Sequence, residues 1–149
     1  MTGQPQADLQ ERYLWACDHP LSILIVDDDE SDRKLISHFL RAINPDFDVR
    51  TAQAAVEALE AHQRAPADCV LLDYYLPDQN ANAFVGELSA TDPSTAIVVL
   101  SGTSRYEVLA ELLSLGATDY LLKSELAVQP LREIINKAVL RATHAGASH

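Results

Sequence analysis

The sequence predicts an α/β protein in which a five-stranded parallel sheet is covered by helices. Two kinds of segment alternate from about residue 21 onward, in the order β-α five times. Short apolar runs rich in β-branched residues are typical of strands buried on both faces. The segments between them carry apolar residues at helical spacing. Such alternation favours one sandwich-like domain with right-handed crossovers, and 149 residues suit a single core.

Four of the predicted strands are continuous apolar runs, and the other one alternates. The continuous runs are residues 22–26, 68–72, 95–100 and 118–122. Residues 47–51 instead alternate apolar and polar side chains, which is typical of an edge strand with one wetter face.

Helical spacing is strongest in the first and last predicted helices. Apolar residues between Leu35 and Ile43, and again between Leu131 and Val139, recur at i, i+3, i+4 and i+7. Weaker patterns predict helices over residues 52–62, 82–90 and 104–115. Helix ends are marked by Asn44-Pro45, Asp92-Pro93 and Gly116.

Composition argues against several classes of protein. The net charge is −11 and the 11 basic residues are scattered, whereas a nucleic-acid surface needs clustered Lys and Arg. No run approaches the roughly 20 apolar residues of a membrane span, and the N-terminus lacks the pattern of a secretory signal. Cys17 and Cys69 do not have metal-type spacing. We therefore expect a cytoplasmic protein that binds neither nucleic acid nor a membrane.

The alternating domain is expected to span residues 21–142, with a tail on each side. Residues 1–20 form an N-terminal extension that contains one short helix, Leu9–Cys17, or is frayed throughout. Residues 143–149 are small and polar, and they are expected to be disordered.

Polar residues follow four of the five predicted strands. They are Asp27, Asp28 and Asp29 after the first strand, Asp73 after the third, Ser101 after the fourth and Lys123 after the fifth. We expect them to converge, because the carboxyl ends of parallel strands meet at one edge of the sheet. Gathered carboxylates repel one another unless protons or a cation neutralise them, and Mg²⁺ prefers such oxygen ligands. An Asp can also be a nucleophile, while a hydroxyl and an ammonium can bind phosphoryl oxygens.

Taken singly, these residues have simpler explanations. Asp28 and its neighbours are common N-capping residues, an Asp such as Asp73 is common in turns, and a lone Lys is usually a surface residue. What is specific is their conjunction, each residue in its own place after its own strand.

Four segments resemble the signature blocks of response-regulator receiver domains of two-component signalling. They are residues 25–28 (Ile-Val-Asp-Asp), 71–77 (Leu-Leu-Asp-Tyr-Tyr-Leu-Pro), 99–102 (Val-Leu-Ser-Gly) and 119–123 (Asp-Tyr-Leu-Leu-Lys). The resemblance covers residues 21–142. It implies a (βα)5 flavodoxin-like sandwich with strand order 2-1-3-4-5.

The resemblance implies that Asp73 accepts a phosphoryl group. The donor would be a phosphohistidine on a sensor histidine kinase or a phosphotransfer protein. Asp28 and Asp73 would bind Mg²⁺ (or Mn²⁺) directly and Asp27 through water, while the backbone carbonyl of Tyr75 would complete the protein's share of the metal shell. The family uses no organic cofactor and is not an enzyme in the usual sense, since a receiver catalyses only its own phosphorylation and dephosphorylation.

The resemblance also assigns a response to the phosphoryl group. Ser101 stands where the family has a Ser or Thr that shifts toward that group, and Lys123 matches the lysine that pairs with it. Tyr120 matches the aromatic residue whose ring turns inward on activation. The surface of the fourth helix, fifth strand and fifth helix would then be recognised by a downstream protein, a fused output domain or a second copy of the chain.

Three residues depart from the family's pattern. Ser124 replaces a proline that many members have in a cis peptide, and Ala81 replaces a common glycine. Tyr75 is bulkier than the usual residue two places after the acceptor. We hypothesise that the Tyr75 ring shields the acyl phosphate from water.

Two other functions are weighed against this one. The first is a receiver-like interaction module that works without phosphorylation. The second is a phosphohydrolase of the haloacid-dehalogenase type, which residues 27–29 fit as Asp-x-Asp although the chain is short for a cap domain. A flavodoxin is excluded, because three aspartates stand where its glycine- and hydroxyl-rich phosphate loop would be.

Overall fold

The computed structural model describes residues 16–147 of the chain. Five parallel strands form one sheet in the order β2-β1-β3-β4-β5, so the expected topology is confirmed. The strands are β1 (Ser22–Val26), β2 (Asp48–Ala52), β3 (Cys69–Asp73), β4 (Ala96–Ser101) and β5 (Asp119–Leu122). The alternating segment is strand β2 at one edge, and its side chains are more exposed than those of the central strands.

Five α-helices and two short 3-10 turns accompany the sheet within the described residues. The helices are α1 (Glu30–Ile43), α2 (Ala55–Arg64), α3 (Ala81–Thr91), α4 (Tyr106–Leu115) and α5 (Val128–Ala147). The 3-10 turns are Ala16–Asp18 and Lys123–Glu125. No helix in this part of the chain is both long and apolar enough to cross a membrane.

The core has two halves, one on each face of the sheet. Successive residues of a strand point to opposite faces, so Ile23 and Ile25 of β1 lie in one half and Leu24 and Val26 in the other. The first half packs against helices α1 and α5, and the second against α2, α3 and α4. All four of these β1 residues are fully buried, which accounts for the continuous apolar pattern of the central strands.

Two predicted boundaries differ from the structure by three residues or more. Helix α2 begins at Ala55 and not at residue 52, because Ala52 still belongs to β2 and pairs with Val26. Helix α5 continues to Ala147, so it includes residues 143–147, for which the sequence predicts disorder. The predicted short helix Leu9–Cys17 lies outside the described residues except for its last two, which belong to the first 3-10 turn.

The amino end of the sheet is closed by the segment that precedes β1. Cys17 is 1% exposed, and its backbone N–H donates to the Asn136 Oδ1 atom of α5 over 2.8 Å. The Asn44 side chain, at the end of α1, donates to the Cys17 carbonyl over 2.9 Å. Residues before the first strand are therefore part of the packed domain.

Gly116 ends helix α4 in a conformation that favours glycine. Its φ is +122°, and a Cβ atom at this position would collide with the Ser89 side chain of α3. The glycine thus allows both the left-handed backbone and the close approach of α3 to α4.

Candidate phosphorylation and metal site

Asp73 stands at the carboxyl end of β3 and contacts the lysine that follows β5. Its residue exposure is 5%, and the Lys123 Nζ atom lies 3.1 Å from Asp73 Oδ1. The Tyr75 backbone N–H donates to the same oxygen over 3.3 Å. The contact with Lys123 follows from parallel strands ending at one edge, with β4 between β3 and β5, whereas the bond from Tyr75 is local to the turn after β3.

Asp27 lies at the base of the site, directly after β1, and is 1% exposed. Its Oδ1 atom accepts the Asp29 backbone N–H over 2.9 Å, and its carbonyl oxygen accepts from the Arg33 guanidinium over 2.9 Å. Its Oδ2 atom is buried and has no hydrogen-bond partner. A buried carboxylate oxygen without a partner is unfavourable unless a cation or proton offsets its charge.

The carboxylates of Asp27, Asp28 and Asp73 form a compact cluster. One oxygen from each residue can be chosen so that all three lie within 4.8 Å of one another. Asp28 is exposed, whereas Asp27 and Asp73 are buried, so the cluster opens to solvent on one side. A buried wall and an open face suit a cation that keeps some of its water.

Burial and neighbouring charges shift the pKa of two groups in the site. Burial raises the pKa of Asp27 to about 6, and the charge of Asp73 adds to this while the hydrogen bond from Asp29 opposes it. Partial burial would lower the pKa of Lys123, but its hydrogen bond and charge contact with Asp73 outweigh this and raise it. Lys123 is therefore a firmly charged ammonium beside a carboxylate.

Ser101 and Tyr120 lie at the same edge of the sheet. The Ser101 side chain is fully buried, and its Oγ atom both accepts the Thr103 N–H over 3.1 Å and donates to the Thr103 carbonyl over 3.2 Å. Tyr120 is half-buried and packs against the core half that contains α2, α3 and α4. The described contacts of Ser101 are therefore with its own turn, not with Asp73.

The residues that depart from the family's pattern also lie here. The Tyr75 side chain is exposed, and its ring meets the Tyr74 ring in a T-shaped arrangement with centroids 4.9 Å apart. Ser124 lies in the 3-10 turn Lys123–Glu125, and Ala81 is the buried first residue of α3. The turn forms with Ser124 in place of the family's proline, and α3 begins with Ala81 in place of the family's glycine.

Sequence reasoning missed two residues that contact the site. Asp32, in the first turn of α1, places Oδ2 3.6 Å from Lys123 Nζ and gives the ammonium a second carboxylate partner. Arg33 reaches back to the Asp27 carbonyl. The available signal was helical spacing, because Asp32 and Arg33 stand four residues after Asp28 and Asp29 at the start of a predicted helix.

A comparison with protein families decides the relationship. The sequence profile described as the response regulator receiver domain matches residues 23–136. The chain belongs to the response regulator receiver domain family. This membership places the protein in two-component signalling. It argues against the alternative function, a phosphohydrolase of the haloacid-dehalogenase type.

Curated relatives are longer proteins that share this domain. The transcriptional regulatory protein ZraR of Salmonella typhimurium is 31% identical over 127 residues, which are 85% of this chain and 28% of that protein. A protein-glutamate methylesterase/protein-glutamine glutaminase of Nitrobacter winogradskyi is 35% identical over 112 residues, 71% of this chain and 25% of the relative. The chain therefore spans about a quarter of the length of these relatives.

Solved structures share the fold over most of the chain. NtrX from Brucella abortus superposes with a TM-score of 0.76 at 25% identity, covering 85% of this chain and 28% of that one. A CheY-like receiver domain protein from Methanospirillum hungatei has a TM-score of 0.76 at 23% identity and is matched over its full length, with 86% of this chain covered.

Proposed function

We propose that the protein is a phospho-accepting receiver that takes a phosphoryl group onto Asp73 in the presence of Mg²⁺. The donor is a phosphohistidine of a sensor histidine kinase or of a phosphotransfer protein. The observation that carries the proposal is the contact of the buried Asp73 carboxylate with the Lys123 ammonium at 3.1 Å, beside the carboxylates of Asp27 and Asp28. A structural ion pair alone would not require two further acids next to it.

Asp73 supplies the nucleophile. Among the described residues, its hydrogen bonds are made to Oδ1, which leaves Oδ2 to attack the phosphorus atom in line. The new bond joins this oxygen to phosphorus, the bond from phosphorus to the histidine nitrogen breaks, and its electron pair stays on the imidazole. Lys123 is placed to offset the negative charge that spreads over the phosphoryl oxygens.

The acidic residues present fit a divalent cation. The buried Asp27 Oδ2 atom without a partner is the structural sign, because a cation or its water would satisfy it. Asp28 and Asp73 would hold Mg²⁺ (or Mn²⁺) directly, Asp27 would act through water, and the Tyr75 backbone carbonyl would complete the set. Such an ion supplies positive charge shared between carboxylate and phosphoryl oxygens.

A phosphoryl group on Asp73 would compete for the Ser101 hydroxyl. To donate to it, Ser101 must give up its present hydrogen bond to the Thr103 carbonyl, in the turn before α4. Tyr120 of β5 would then turn inward. The Ser101 change lies next to α4 and the Tyr120 change lies in β5, so the surface formed by α4, β5 and α5 is the proposed output surface. Phosphorylation would shift the populations of two conformations of this surface.

The partners follow from this role. A downstream protein, an output domain of a longer chain or a second copy would bind the surface of α4, β5 and α5. The proposed receiver comprises residues 21–142, and the segment just before it packs against it through Cys17. The relatives named as regulatory proteins and methylesterases extend well beyond the matched region, which supports an output fused or bound to this domain. The proposed location is the cytoplasm, and the only reactions catalysed are self-phosphorylation and self-dephosphorylation.

The test is phosphorylation by acetyl phosphate with and without Mg²⁺, read as intact mass and on a phosphate-affinity gel. The wild type is expected to gain one phosphoryl mass only with Mg²⁺, and Asp73→Asn is expected to gain none while staying folded. Asp46→Asn, an exposed aspartate after α1, is the matched control and should behave as wild type. An adduct on Asp73→Asn would move the acceptor elsewhere.

If acetyl phosphate gives no adduct on the wild type, binding of beryllofluoride and Mg²⁺ is tested next. Failure to bind either would favour the alternative function, a receiver-like interaction module that works without phosphorylation.

A further inference from the structure

The loop between β3 and α3, residues 74–80, contains no glycine and is held by hydrogen bonds at both ends. At its start, the Tyr75 N–H donates to Asp73 Oδ1. At its end, the Asn80 side chain accepts the Ala83 N–H over 2.8 Å and caps α3. The Tyr75 backbone carbonyl, which belongs to the proposed metal shell, lies in this loop. A contact that restrains the middle of the loop therefore also affects the position of that carbonyl.

Asp78 ties the middle of the loop to a different helix. Its Oδ1 atom accepts the Ala55 N–H over 2.9 Å, and its Oδ2 atom accepts the Val56 N–H over 3.1 Å. Both donors belong to the first turn of α2, where Ala54 at the N-cap position offers no side-chain hydrogen bond. The two backbone hydrogen bonds hold the pKa of Asp78 below its ordinary value, so these bonds are made by a charged carboxylate.

This contact is a hydrogen-bonded restraint on the middle of the loop, in addition to the packing of the Tyr74 and Leu76 side chains against the core. Among the described residues, the hydrogen bonds from residues 76–79 to another helix or strand are those of the Asp78 carboxylate. The start of α2 has a second restraint of its own, since Glu57 Oε2 accepts the Gln53 N–H over 3.2 Å. Without Asp78, residues 76–79 would therefore have no hydrogen bond to another helix or strand within the described part of the chain.

We propose that Asp78 is a positioning residue for the metal site. By fastening the loop to the N-terminus of α2, it holds the Tyr75 backbone at the edge of the acidic cluster. The inference rests on the proposed function, because it concerns the Mg²⁺ shell assigned there. Residues that orient metal ligands from the next layer typically change metal affinity by about 10- to 100-fold when they are replaced.

The experiment compares Asp78→Ala with Glu57→Ala. Each variant removes one exposed carboxylate that accepts backbone N–H at or just before the start of α2: Asp78 accepts those of Ala55 and Val56, and Glu57 accepts that of Gln53. Only Asp78 belongs to the loop. Mg²⁺ binding is measured by titration calorimetry, and exchange of the Ala55 and Val56 amides by hydrogen–deuterium exchange. Asp78→Ala is expected to weaken Mg²⁺ binding by about 10-fold and Glu57→Ala to leave it unchanged.

The conservative variant Asp78→Asn supplies a rescue. An amide oxygen can still accept one of the two N–H groups, so its Mg²⁺ affinity is expected to lie between those of the wild type and Asp78→Ala. Equal weakening in Asp78→Ala and Glu57→Ala would show a general effect of helix destabilisation and overturn the inference.

Two further outcomes separate this inference from the proposed function. If the wild type binds Mg²⁺ and Asp78→Ala binds it equally well, although its Ala55 and Val56 amides exchange faster, the inference fails and the proposed function stands. If the wild type binds no Mg²⁺, the proposed function fails and the inference falls with it.

Discussion

Two buried polar residues at opposite ends of the sheet, His62 and Asp27, have opposite hydrogen-bonding surroundings. At the amino end, the His62 ring is enclosed by hydrogen bonds: Nδ1 accepts the Ala67 N–H over 3.0 Å, and Nε2 contacts Asp92 Oδ2 at 2.9 Å. At the carboxyl end, Asp27 is more deeply buried than His62, yet its Oδ2 atom has no hydrogen-bond partner. The polar atoms of the His62 ring are thus paired within the chain, whereas one oxygen of the Asp27 carboxylate is not.

The difference shows that the hydrogen bonding of a buried polar group can indicate whether the group serves stability or binding. A satisfied group such as Asn136, whose Oδ1 atom accepts the Cys17 N–H, stabilises the fold by closing the structure on itself. An unsatisfied carboxylate lowers the stability of the isolated domain, and it persists where binding a ligand offsets that cost. The unpartnered Asp27 oxygen within the cluster of Asp27, Asp28 and Asp73 therefore supports the proposed cation site.

The largest change in the free energy of unfolding is expected from His62→Ala, at the amino end of the sheet. This change leaves the Ala67 N–H and the Asp92 carboxylate without their partner and opens a cavity, so the free energy of unfolding should fall by about 3 kcal/mol. Urea denaturation measures it. Affinity for Mg²⁺ should be unchanged, because a five-residue strand separates the two ends by about 16 Å.

The control for this variant is His38→Ala, since the His38 side chain is exposed on α1. Its stability should stay within about 0.5 kcal/mol of the wild type. If His62→Ala lost Mg²⁺ affinity while it remained fully folded, the two ends would be coupled and the comparison would break.

A smaller change in the free energy of unfolding, this time an increase, is expected from Asp27→Asn at the carboxyl end of the sheet. The folded pKa of Asp27 is raised to about 6, above the unfolded value, so its charged form opposes folding. The stability contributed by the protonated form is fully present below about pH 4 and is lost as the pH rises through about 6. Without metal at pH 8, Asp27→Asn should therefore be more stable than the wild type, on the order of 1–2 kcal/mol.

Asp28→Asn is the matched control for that stability measurement, because Asp28 is exposed. It should leave stability nearly unchanged, while both variants should weaken Mg²⁺ binding. Urea denaturation at pH 5 and pH 8 tests the sign, since the advantage of Asp27→Asn should shrink at the lower pH. An Asp27→Asn protein less stable than the wild type at pH 8 would show that the carboxylate is satisfied.

The smallest effect is expected from Tyr75→Ala. If the ring shields the acyl phosphate, the variant should lose its phosphoryl group a few-fold faster than the wild type, equivalent to about 1 kcal/mol in activation free energy. The decay of the phosphorylated form is followed by intact mass. Tyr75→Phe keeps the ring and should decay as the wild type does. Equal rates for Tyr75→Ala and the wild type would remove the shielding role.

Much of the fold could be predicted from the sequence because burial leaves a direct pattern. The apolar runs of the central strands, the stripe from Leu35 to Ile43 and the stop at Gly116 all depend on local sequence. The structure confirms them, except that Leu35 is exposed and the buried stripe begins at Ile36. The start of α2 was placed too early, since the alanines at residues 52, 54 and 55 suit a strand or a helix equally well in isolation. Pairing of Ala52 with Val26 decides the boundary.

The sequence by itself determined which residues stand after the strands, because the order of strands and the polar residues that follow them are local facts. Only the tertiary structure decided how those residues meet: that Lys123 lies 3.1 Å from Asp73 with Asp32 as a second partner, that Asp27 keeps an unpartnered oxygen, and that a loop acid caps another helix. These contacts join residues far apart in the chain, and side-chain distances across a sheet edge depend on packing that no local pattern records.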